Sequence, residues 1–188
     1  MAETPAQVRP AASEVLVTDA LTTAVRSALC GPANPGAGTV IWTDRGSQIL
    51  LHVDKLQVRT ATPTVIVAVD TESVEYGIAP LIVRFVLGDP KGPAPLVAST
   101  DATALGHPQV AARWGTLFRD VVWAAIARLV DTQATSKGMR PGSIEVTDDG
   151  LTLTPQPEFD LADLAATHVR SLVADGVRLP GPVGGGRL

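Results

Sequence analysis

The 188-residue chain has one cysteine, Cys30, which excludes an internal disulfide framework and any metal site made of thiolates alone. Aromatic residues are 4% of the chain, too few for a platform of rings that stacks single-stranded nucleic acid. Basic residues are not in excess: 15 Lys+Arg against 19 Asp+Glu leave a net charge of -4, with no pull toward phosphate backbones or anionic lipid. Neither nucleic acid nor membrane is therefore expected as a partner. Long apolar runs are missing too. The greasiest stretch, 121–130, is broken by Arg128 and is about half of the ~20 residues that a bilayer span needs. No nucleotide-binding glycine fingerprint, Walker loop, G-x-S-x-G elbow, H-E-x-x-H or C-x-x-C occurs, so no cofactor is expected.

What is present is material for a core. Hydrophobic residues are 45% and charged residues 18%, a balance that favours folded structure over disorder. The opening MAETPAQVRPAAS lacks a cationic stretch followed by an apolar one, so a soluble, cytoplasmic chain without a secretory signal is expected. The domain reading is a loose arm over 1–12, one α+β domain over 13–174, and a Gly/Pro-rich flexible tail over 175–188.

Within that domain, Ser13 is placed to cap a helix running to Cys30, with Val17, Leu21, Val25 and Leu29 on one face, and Gly31-Pro32 ends it. From Thr39 to Val97 the chain turns to β-branched runs punctuated by turn residues. Runs 39–43 and 48–59 flank Asp44-Arg45-Gly46-Ser47, a hairpin connection. Pro63 sets the start of a run over 64–71, Tyr76-Gly77 turns into another over 78–87, and 96–99 is a possible short last strand. Such short connections favour antiparallel neighbours in a meander. Pro108 suits the first position of the longest helix, over 108–137. Asp148-Asp149-Gly150 joins two further strands, and Asp160 caps a last helix to about Ala174. The fold class that follows is α+β, a mostly antiparallel sheet of about five or six strands packed by one long helix, with shorter N- and C-terminal helices.

Few residues bear chemistry. Asp70 and Glu72 share a sheet face by alternation, where two carboxylates suit a hard cation, although a solvated strand end uses the same pattern. His52 lies two residues from Asp54, which suits a cross-strand polar pair more readily than a general base. The densest polar loop runs from Ser99 through Asp101 to His107, where a hydroxyl nucleophile with His107 as base is the enzymatic candidate; caps and turns use the same residue types. Trp114 and Trp123 point in nearly opposite directions on the long helix, one toward the core and the other toward a neighbouring element or a partner chain.

One feature outweighs these. In 64–71 Val65, Val67 and Val69 point one way and Ile66 and Ala68 the other, so both faces of the strand ask for cover. Three helices are thin for two layers, so either the sheet curls on itself or a partner subunit covers the second face, and the partner is the expectation taken forward. The functional reading is a non-catalytic structural or interaction subunit of a homo-oligomer or larger intracellular assembly. A small hydrolase-like enzyme with its site in the 99–107 loop, and an apolar ligand-binding module with a pocket between sheet and long helix, are the alternatives.

Overall fold

A computed structural model of the chain describes residues 13–87 and 103–157. The chain divides into two units, Met1–Gln156 and Pro157–Leu188, and every element below belongs to the first save the last residue of its final strand. The order is β1 (Glu14–Val17), α1 (Thr18–Cys30), β2 (Val40–Asp44), β3 (Ser47–Ala61), β4 (Thr64–Ser73), β5 (Gly77–Val86), β6 (Thr103–Gly106), α2 (Pro108–Thr135), β7 (Met139–Thr147) and β8 (Gly150–Pro157).

The class is α+β, as the sequence pattern implies, and the strands from β2 to β6 form a five-stranded antiparallel meander in chain order. A second, three-stranded sheet runs β1-β8-β7. The β2–β3 hairpin turns on Arg45 and Gly46, both at positive φ, the conformation that matches the twist of the flanking strands. β3 pairs with β4 in two stretches: it takes five residues to pass from His52 to Gln57 where β4 takes two from Asp70 to Ala68, and the strand bends at this bulge.

Strict alternation decides the inner face. Ile49, Leu51, Val53, Val65, Val67, Val69, Leu81, Val83 and Phe85 are fully buried. They form one core with Leu21, Val25 and Leu29 of α1 and with Val110, Trp114, Phe118, Val122 and Ile126 of α2. The i, i+4 and i, i+3 spacings of these helical residues put them on one stripe of each helix. Among the described residues the one buried polar side chain, Thr71, donates to the Ala79 carbonyl at 2.7 Å, which satisfies its hydroxyl.

Two expectations need correction. The first helix does not begin at Ser13: Glu14–Val17 is a strand, and α1 starts at Thr18 without a side-chain cap. Glu14 to Val17 pair with Leu153 to Gly150 of β8, so tertiary pairing overrides the local helical pattern, and Val17 is exposed rather than on the core face. The sheet's last strand is β6, from the stretch 103–106 read as loop, whose pairing with Leu81–Arg84 of β5 fixes it. The short strand expected over 96–99, the helix expected over 160–174, and the two expected flexible ends lie outside the described residues.

β1 is fastened to the far end of α2 by Glu14, which accepts hydrogen bonds from Lys137 Nζ and Gln133 Nε2. The Lys137 ammonium is the main reason the Glu14 carboxyl is held below its ordinary value near 4.5. A carboxyl depressed in the folded state contributes stability above its unfolded pKa and loses it as pH falls through the folded one. Glu14→Gln is therefore expected to flatten the acid side of a Tm-against-pH profile below about pH 4.5, with no change near neutrality in its slope; a profile parallel to wild type overturns this.

Candidate functional site

Among the described residues singled out by chemistry, His52, Asp70 and Glu72 come together on one sheet face, and His107 stands at the start of α2. Ser99 and Asp101 lie outside the described residues. His107 occupies the N-cap of α2 without a side-chain capping bond. Its ring packs on Tyr76 with centroids 5.5 Å apart, and its buried Nδ1 has no hydrogen-bond partner among the described residues. A hydrogen bond with Glu75 is the first cause holding the Tyr76 phenol above its ordinary value.

His52 approaches Glu72 and not Asp54: its buried Nε2 lies 3.5 Å from Glu72 Oε2 and has no hydrogen-bond partner among the described residues. Asp70 stands directly opposite His52 in the register. Among the described residues no three His, Cys, Asp or Glu side chains come together as a metal site. Trp114 is only 3% exposed and part of the chain's own core. Trp123 is half-buried and stacks on Phe85 with centroids 5.8 Å apart, so it docks α2 on the sheet.

Two clefts flank the helices. The larger, about 650 Å³, is lined by Ala24, Ala28, Pro32, Val121, Ala125 and Leu129, that is, by α1, the loop after it and α2, with no residue of the sheet. The smaller, about 420 Å³, lies between the β2–β3 and β4–β5 turns and is the more polar. Its cation, Arg113, is already engaged: Nη2 donates to the Asp44 carbonyl at 2.8 Å and lies 3.6 Å from the Asp44 carboxylate.

The feature that strand alternation builds most fully is the outer face of the five-stranded sheet. Pairing sorts it into rows across the strands. Leu50, Glu72 and Ile78 form one row, extended by Ile41 on β2; His52, Asp70 and Pro80 form the next. Gln57, Ala68, Ile82 and Leu105 follow, then Arg59, Ile66 and Arg84, and last Thr64 with Val86. Of these, Ile78 is 72% exposed, Ile41 61% and Leu105 44%, while Ile66, Ala68, Ile82 and Val86 are half-buried. The described elements that pack on this sheet are α1 and α2, on the inner face, and β7 against β3.

Charge on this face is sorted by position. Arg59 and Arg84, both exposed, stand one strand to either side of Ile66, about 10 Å apart by strand spacing. Neither has an ion-pair partner among the described residues; Arg59 Nη2 donates to Gln57 Oε1 at 3.3 Å. Asp70 and Glu72 mark the opposite end, with Glu72 about 20 Å from Ile66 along β4. Periodicity alone signals Asp70 and Glu72 but hides the arginine pair, because residues 59, 66 and 84 fall into one row only once the bulge in β3 has shifted the register.

Searches against protein-family models, curated proteins and solved structures find no match to this chain. Its function has to be read from this geometry.

Proposed function

We propose that this chain is a non-catalytic structural or interaction subunit of a homo-oligomer or larger assembly, and that the outer face of the five-stranded sheet is the surface it assembles through. The observation that carries the reading is the gathering of Ile41, Ile66, Ile78, Ile82, Val86 and Leu105 on one sheet face whose reverse is sealed by the helices. An antiparallel sheet that has only water on its second face normally shows polar residues there. A contiguous apolar patch of several hundred Å² rimmed by charges is the usual mark of an interaction surface.

Light scattering at micromolar concentration, read together with binding of an apolar dye, tests this. A mass above that of one chain supports the reading. So does the mass of one chain with bound dye that is lost in Ile82→Lys. A single-chain mass with no dye bound overturns it.

A further inference from the structure

Resting on that reading of the face as an interface, we infer that its occupant is a second copy of this chain, stacked face to face about a two-fold axis that runs across the strands. The charge layout selects this arrangement. A two-fold axis along the strands lays the arginine row of one copy on the arginine row of the other. An axis across the strands, set at the Ala68–Ile82–Leu105 row, reverses the strand direction and lays the arginine row over the row of Asp70. The interface is then isologous, with every contact made twice.

The remaining rows fall into place under the same operation. The Thr64–Val86 row of one copy comes over the Leu50–Glu72–Ile78 row of the other, so apolar Val86 meets apolar Ile78 and Glu72 comes within a side-chain length of the arginines. Ala68 lies on the axis, where a small side chain lets two sheets approach to the roughly 10 Å of packed sheets. Each strand then lies over its own copy, so Asp70 faces Ile66 with Arg59 and Arg84 one strand to either side of it, within reach of both guanidinium groups, and Arg59 comes over His52. Three strands by nine residues, with the four residues of β6 beside them, span roughly 490 Å² in each copy. Twice that is at the lower end of stable interfaces, so the dimer should form in the micromolar range.

Charge reversal in both directions tests it by sedimentation velocity, with circular dichroism to confirm folding. The double variant Arg59→Glu/Arg84→Glu makes both ends of the face acidic, and Asp70→Lys/Glu72→Lys makes both ends basic. Each alone is expected to weaken self-association at least about tenfold. Mixed in equal amounts the two are expected to pair with each other, to within roughly threefold of the wild-type affinity, because every end then meets its opposite charge. The fourfold variant, with charges exchanged between ends, is expected to dimerise with itself. Higher salt weakens all of these pairings.

A dimer indifferent to both reversals, or reversed variants that fail to pair on mixing, overturns the second copy as occupant. A wild-type chain that stays monomeric up to about 100 μM, well above the expected dissociation constant, while binding apolar dye overturns it too, and leaves the broader reading of the face standing. A monomer without dye binding ends both.

Discussion

Phe118→Ala is expected to lower the stability of the fold by about 3–5 kcal/mol, the usual cost of emptying a buried aromatic site. Phe118 is fully buried on the α2 stripe and meets the Trp42 ring at 6.3 Å between centroids, so it links the long helix to the edge strand β2. Whole domains are stable by only about 5–15 kcal/mol, and the expected fall in Tm is roughly 6–20 °C. The control is the next residue. Leu117 is 43% exposed, and Leu117→Ala should change stability by about 1 kcal/mol or less. Urea unfolding of the two variants decides: equal losses sink the assignment of which α2 stripe faces the sheet.

Gly106→Ala is expected to be at least as damaging, for a different reason. Gly106 has φ +108°, and a Cβ placed on it lies 2.2 Å from the Pro80 carbonyl oxygen, a backbone atom with no rotamer to retreat into. The same carbonyl accepts the His107 N–H at 3.2 Å, so relief breaks the last rung between β5 and β6 and shifts the start of α2. Strain and lost pairing together should amount to about 3 kcal/mol or more. Gly77, at φ +63° with nothing within 4 Å of its virtual Cβ, isolates the conformational part, and Gly77→Ala should cost about 1–2 kcal/mol. A Gly106→Ala chain as stable as the Gly77→Ala chain contradicts the close approach.

The meander was legible because its signals are local. Arg45-Gly46 supplies the hairpin's positive φ angles, Pro63 stands immediately before β4, and Pro108 opens α2 as its type suggests. β1 and β6 were not legible, since four residues carry too little periodicity to outweigh a neighbouring helix or a polar loop. What holds them is backbone pairing to strands far along the chain or across a long connection. The candidate site divides in the same way. Two-residue alternation alone brings Ile66, Ala68, Asp70 and Glu72 to one face. The arginine row is invisible until the offset between His52 and Gln57 is known, because alternation counted straight through β3 misaligns everything after the bend.

The pairing of β1 with β8 has a consequence for how the chain comes into being. Glu14 opens the first of the described elements, yet its partner Leu153 is made only after the other described strands and both described helices. Contacts this distant in sequence close slowly. The meander and α1 can pair before that last hairpin is made, whereas β1 has no strand partner until β8 follows.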